Sequence, residues 1–240
     1  YKNGFQFRGN YTFAKNLDDG SAWNTSVSGN TPAFVEFPLQ PKLDWGPGAT
    51  DLRHSASINA SYDLPFGPGH ALLANASVPV RTVAAGWTVS TIVSAQSGFP
   101  FTPQLGYNPT GNGDTRNPVR PNWNASFSGP LYLRTPAQWF NPQAFLEPAA
   151  GTYGNVGRDS LTGPGLTDVD FSAKKTTQIA EHLNLQFRAE FFNILNHSNF
   201  LTPNPVVYTA AGAGISPTAG VITATSTTSR QIQFGAKLQF

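Results

Sequence analysis

Long runs of strict two-residue alternation constrain this chain more than any other feature. In RQIQFGAKLQF, residues 230–240, Ile232, Phe234, Ala236, Leu238 and Phe240 share one face, while Gln231, Gln233, Gly235, Lys237 and Gln239 share the other. Side chains on a strand point alternately to its two faces, so this segment is apolar on one side and polar on the other. Phe5, Phe7, Gly9, Tyr11 and Phe13 alternate in the same way with Gln6, Arg8, Asn10 and Thr12. So do Ala56, Ile58, Ala60, Tyr62 and Leu64 with Ser55, Ser57, Asn59, Ser61 and Asp63. The pattern returns after Trp87 with only Ile92 out of place, again through Val169, Phe171 and Ala173, and again through Leu183, Leu185, Phe187, Ala189 and Phe191.

Six strands are therefore expected, near 4–15, 51–65, 87–101, 166–178, 183–196 and 229–240. Their length of about 10–14 residues exceeds the mode of about 5–6 in globular proteins and suits a tilted crossing of a bilayer, which takes about 9–11. Segments 17–50, 103–165 and 197–228 are long, weakly periodic and rich in Gly, Pro, Asn and Thr, and they alternate with the shorter segments 67–85 and 179–182. Outer-membrane barrels alternate long outside loops with short turns in this way. The fold class expected is an all-β, antiparallel, up-and-down transmembrane barrel segment. Six strands fall short of the usual minimum of about eight, so the segment is expected to be an open sheet with two free edges.

Composition narrows the alternatives. Only 12% of residues are charged, against about a quarter in a typical soluble protein. Aromatics reach the same 12%, the reverse of what disorder needs. The net charge of +2, without a basic run, gives no reason to expect nucleic acid. No Cys is present, which excludes disulfides and thiolate-ligated zinc. No Met is present either, and Tyr1 falls at a strand start, so a processed chain or a piece of a longer one is expected.

The charged residues Asp168, Asp170, Lys174, Arg188 and Glu190 lie on the polar faces of their strands. An Arg or Lys turned to lipid near the bilayer midplane costs about 2–4 kcal/mol, so these faces are expected to line a water-filled interior. Arg188 is expected to pair across strands with Asp168 or Asp170. Tyr11, Phe13, Tyr62, Phe66, Trp87, Phe99, Phe101 and Phe240 gather near strand ends. Two readings suit them: interfacial aromatic girdles, or core packing at the ends of a β-sandwich.

No enzyme chemistry is expected. His54, His70, His182 and His197 have no metal-ligand spacing, GRDSLTGPG is not a nucleophile elbow, and GPGATD and GPGH read as turns. Asp168 and Asp170 form a carboxylate pair on one strand face, read as lining the lumen. No cofactor, catalytic residue or metal ligand is assigned. The loop NPTGNGDTRNPVRPN, 108–122, has the oxygens to cradle Ca²⁺ but fits no known calcium loop, and a solvated loop is the alternative. Residues 71–86 read as a short helix or an irregular stretch.

An ordered set of motifs adds a resemblance. DLRHSASINASYDLPFG, GWTVSTIVSAQSGFPFT, RTPAQWFNPQAF, GNVGRDSLTGPGLTDVDFSAKK and FRAEFFNILNHSNF, preceded by NYTFAKNLDD, resemble the C-terminal part of the barrel in Oar-like TonB-dependent transporters of Gram-negative bacteria. The resemblance covers nearly the whole chain. It implies a bacterial outer-membrane location with a periplasmic C-terminus, a parent barrel of about 22 strands around a plug, and uptake of a scarce or bulky nutrient. The implied partners are outer-membrane lipid, a TonB-type energy-coupling protein acting through an upstream part, the barrel-assembly machinery and an unidentified nutrient. Phe234, Leu238 and Phe240 are the residues the resemblance assigns to the assembly signal. It also places a periplasmic apolar segment at 71–86. Two other readings remain at this point: a secreted β-sandwich binding carbohydrate through Trp123, Trp139 and Phe140, and a passive outer-membrane barrel for adhesion or sorting.

Overall fold

A computed structural model describes residues 4–20, 35–114 and 119–240. Tyr1 and residues 115–118 of the 108–122 loop lie outside this range. Six long strands form one sheet: β1 (Phe5–Phe13), β2 (His54–Asp63), β3 (Trp87–Gln96), β4 (Leu166–Ala180), β5 (Leu183–Phe192) and β6 (Gln231–Gln239). Each pairs antiparallel with its neighbour in chain order, giving an up-and-down meander with β1 and β6 at the edges. The sheet is open, as expected for six strands.

The alternation read from the sequence sets the register. One row across all six strands runs Phe5, Tyr62, Val89, Ala173, Ala189 and Phe234. The row beside it, on the opposite face, runs Gln6, Ser61, Ser90, Ser172, Glu190 and Gln233. A slip of one residue at any pairing would move a whole strand's apolar set to the polar face, so these rows hold the register.

The expected strand limits change mainly at one end of the sheet. β2 and β3 stop pairing at His54 and Gln96, short of the expected 51 and 101, because their flanking residues leave the sheet for a separate body. That body is built from the described residues of the three long connections, 14–53, 97–165 and 193–230, all of which leave the same end. Weakly structured loops were expected there. They pack instead around Phe101, Leu105, Phe140, Phe145, Val156, Leu161 and Val207, each at most 1% exposed. Tyr208 closes this core, its hydroxyl donating to the Phe145 carbonyl at 2.8 Å. Short two-stranded pairings, such as Phe101 with Leu161 and Trp123 with Phe145, satisfy backbone groups that burial would otherwise leave unpaired. The result is a folded cap on one end of the sheet.

The other end carries a tight turn at 181–182 and the segment 64–86, which contains a short helix, Val78–Ala84. The hydrophobic core thus lies in the connections, while the sheet is a single layer. Among the described strand residues of the sheet, Ala189 is the only buried apolar one. This corrects the sandwich reading, because among the described residues no second sheet covers the apolar face. Of the aromatics that reading relied on, Phe140 is fully buried and Trp139 donates its Nε1 to the Thr162 carbonyl at 2.9 Å. Trp123 packs in a tilted arrangement against Phe145 with 5.0 Å between centroids.

Candidate functional site: an uncovered apolar face beneath a folded cap

The apolar face is most exposed on its two edge strands, while Ile58 and Phe187 between them keep 39% and 38% of their surface. Phe7, Tyr11, Phe13, Phe234 and Leu238 each keep more than half of their surface exposed. A sheet in water buries one face against something, and a contiguous apolar patch of this kind marks a contact surface. Aromatics mark both ends of the face. At the cap end, Tyr11 and His54 are hydrogen-bonded at 2.8 Å, and the Arg53 guanidinium lies 5.9 Å from the Phe13 ring centre. At the other end, Phe5 packs edge-on against Tyr62, and the Lys175 ammonium lies 5.5 Å from the Trp87 ring. Amphipathic rings and long cations at the two borders of an apolar band are the arrangement that membrane interfaces favour. Thr91, in the middle of the band, donates its hydroxyl to the Asp170 carbonyl at 2.9 Å, so that polar group is satisfied within the sheet.

Three of the expected end aromatics take other positions. Phe101 belongs to the cap core, because β3 has left the sheet before reaching it. Phe99 lines a cavity of about 190 Å³ where Gln96 and Leu166 meet Phe200 and Leu201 of the third connection. Phe66 lies past the end of β2, bridged to Leu72.

The polar face carries all five expected charges, with one change of partner. Arg188 stands opposite Lys174 in the register, so it turns along its own strand and pairs with Glu190 at 3.1 Å. It does not meet Asp168 or Asp170. The Asp170 carboxylate accepts the Asn193 amide at 2.9 Å and so anchors the start of the third connection. Phe234 and Leu238 lie on the apolar face of β6, and Phe240 stands fully exposed just beyond it.

The cap contains a buried polar cluster that sequence reasoning missed. Arg120 is 1% exposed and reaches two carboxylates of the first connection, Glu36 at 2.5 Å and Asp44 at 2.6 Å. The Arg120 amide also donates to Glu36 Oε1 at 2.9 Å. Arg158, equally buried, donates from Nε to the Asp44 carbonyl at 2.8 Å and pairs with Asp18. Asp159 and Thr102 exchange hydrogen bonds in both directions, at 2.8 and 3.0 Å. Two arginines of the second connection thus clamp the first. Burial holds the Glu36 carboxyl above its ordinary value; the Arg120 charge opposes this and the Asp44 charge adds to it. The only signal in the sequence was that two arginines stand in Pro- and Gly-rich loops of a charge-poor chain.

Other links tie the third connection down. Glu147 accepts from the Tyr107 hydroxyl at 2.8 Å and from the Gly212 amide at 3.0 Å. Burial, then the Glu147 carboxylate, push the Tyr107 phenol up to about 12. The polar residues of NILNHSN form a clasp. Asn199, buried, accepts the Thr167 amide at 2.8 Å and donates back to the Thr167 carbonyl, while Asn193 holds His197 and Thr228. In the 108–122 loop, Asn108 Oδ1 accepts from both the amide and the hydroxyl of Thr110, so this oxygen is used by the loop itself. Among the described residues no group of three or more His, Asp or Glu is placed to hold a metal ion.

A single-layer antiparallel meander, apolar and aromatic-bordered on one face and polar on the other, is the wall of a transmembrane β-barrel. No described helix is long and apolar enough to cross a membrane. Comparison with protein-family models agrees: the model for an outer membrane beta barrel domain matches residues 1–233, and the chain belongs to that family. Comparisons with curated proteins and with solved structures return no match.

Proposed function

We propose that this domain is the C-terminal part of the barrel of an Oar-like TonB-dependent outer-membrane transporter, taking up a scarce or bulky nutrient. The observation that carries the proposal is the pairing of a six-strand polar wall with a cap folded over one end of it. The open sheet needs further strands to close, which suits a wide barrel, and the motif resemblance points to the transporter class. In this reading the apolar face meets outer-membrane lipid. Asp168, Asp170, Lys174, Arg188 and Glu190 line the water-filled interior, the cap faces outside, and the C-terminus is periplasmic. Phe234, Leu238 and Phe240 present the edge read by the barrel-assembly machinery. Energy coupling through a TonB-type protein belongs to an upstream part of the parent.

The test uses the full-length protein in planar bilayers and in binding assays with the periplasmic domain of a TonB-type protein. A plugged, energy-coupled transporter is electrically silent and binds that domain. Steady open conductance without such binding would refute the reading and favour a passive barrel.

A further inference from the structure

We infer that the segment 71–85, at the end of the sheet opposite the cap, lies on the outside of the barrel wall as an interfacial lipid anchor whose ligand is phospholipid. The helix Val78–Ala84 buries none of its residues. Leu72, Leu73, Val78, Val80 and Val83 are each at least 43% exposed.

Two contacts fix the side on which the segment sits. Trp87 opens β3 on the apolar face, and its Nε1 donates to the Val83 carbonyl at 2.9 Å. Lys175 stands opposite Trp87 on that same face and donates its Nζ to the Ala85 carbonyl at 2.6 Å. Gly86 makes the crossing possible. It has a φ of +77°, its carbonyl accepts the Thr176 amide at 2.9 Å, and a Cβ there would lie 2.3 Å from the Thr176 carbonyl oxygen. The helix is therefore drawn towards the lipid-facing side of the wall, and its exposed valines continue the apolar band of the sheet.

Charge identifies the occupant. The helix carries Arg81 and no acidic residue in its first turn, and 71–86 contains no Asp or Glu. Lys175 uses one of its three ammonium protons on Ala85. Apolar side chains beside cations, at the level of a Trp–Lys border, match acyl chains beneath phosphate headgroups. The inference rests on the barrel class and holds whether or not the parent is an active transporter.

The chain has no Cys, so single labels are clean. Full-length protein carrying Val83→Cys, Val80→Cys or, in the cap, Ala125→Cys is labelled with an environment-sensitive fluorophore. It is then placed in vesicles of phosphatidylethanolamine, with or without phosphatidylglycerol, containing lipid brominated near the headgroup end. Heat-modifiable gel mobility confirms folding of each variant. The expected result is bromolipid quenching several-fold stronger at 80 and 83 than at 125, with little quenching by aqueous iodide. Phosphatidylglycerol should strengthen it, and Arg81→Gln should remove that increment. Iodide access without bromolipid quenching would overturn the inference. Protection from both quenchers would also overturn it, and would indicate a protein cover instead.

Discussion

Arg120 offers the sharpest test of how the cap is held together. It is one cation serving two buried carboxylates on another connection. In Arg120→Ala both ion pairs are lost, and Glu36 and Asp44 are left close together in a site from which water is largely excluded. Removing one partner of a buried ion pair costs about 3–5 kcal/mol, most of it the penalty of stranding the other charge. At about 1.4 kcal/mol per tenfold, the equilibrium for releasing residues 35–45 from the cap shifts by roughly a hundred- to a few-thousand-fold. The Phe37–Tyr153 stack, 5.0 Å between ring centres, and the Arg158 contacts remain, so release should be local. The assay is limited proteolysis of the folded protein in vesicles, with cleavage mapped to the first connection. The triple variant Arg120→Met, Glu36→Gln, Asp44→Asn separates charge stranding from lost packing. It should recover most of the protection, because apolar or neutral replacement of a buried ionic group is often close to neutral. Wild-type cleavage rates in Arg120→Ala would refute the clamp. Equal sensitivity of the single and triple variants would refute the charge-stranding account.

Three further outcomes follow from the same geometry. Glu36→Gln should be tolerated at neutral pH, because it keeps the acceptor for the Arg120 amide and leaves one carboxylate for one guanidinium. Since the folded carboxyl lies above its ordinary 4.5, the native cap binds more protons than the released form in the window between the two values, and stability falls as pH rises through it. Proteolysis across that window should lose this dependence in the Gln variant. If the apolar rows face lipid as proposed, Ala189→Arg, in their centre, should lower unfolding stability by about 2–4 kcal/mol in urea titrations in lipid, whereas Gln233→Arg, beside it in the pleat but on the other face, should change it little. Deleting Phe240 from the full-length protein should reduce the amount assembled in the outer membrane, as read by heat-modifiable mobility; unchanged yield would remove the assembly role given to the last strand.

The strands were legible because their periodicity is enforced along the whole sheet. Phe7, Ala60 and Phe171 share one row, and each earns its side from its own sequence neighbours. The partner of Arg188 was not legible. Its face follows from parity, but its cross-strand neighbour depends on register, and register puts Lys174 there. Phe101 shows the same limit. Nothing in SGFPFT distinguishes an interfacial ring from a core ring, and the outcome turns on Gly98, where the chain leaves the sheet. A Cβ at that glycine would lie 1.9 Å from the Gly163 carbonyl oxygen, so the two crossing chains approach more closely than any side chain permits. The Arg120 clamp joins residues 76 and 84 positions apart in the chain, and no local pattern carries that information.

In the proposed orientation, the contrast between sheet and cap follows from which solvent covers each. With lipid over the apolar face, as proposed above, its side chains need no protein partner and their pattern stays purely periodic. In the same proposal the cap stands clear of the bilayer and supplies its own interior, with a small aromatic core and buried arginine–carboxylate pairs. Its backbone is irregular, yet hydrogen bonds and ion pairs join all three connections. Each connection begins and ends on a wall strand, so closure of the cap also fixes the spacing of β1 to β6 at that end. The opposite end has only a two-residue turn and the segment 64–86. A wall held firmly at one rim and lightly at the other should open first at the lightly held rim. Amide exchange along β4, the longest strand, should therefore be slower at Leu166 to Phe171 than at Thr176 to Ala180. A uniform rate along β4 would mean that the cap rests on the sheet without bracing it.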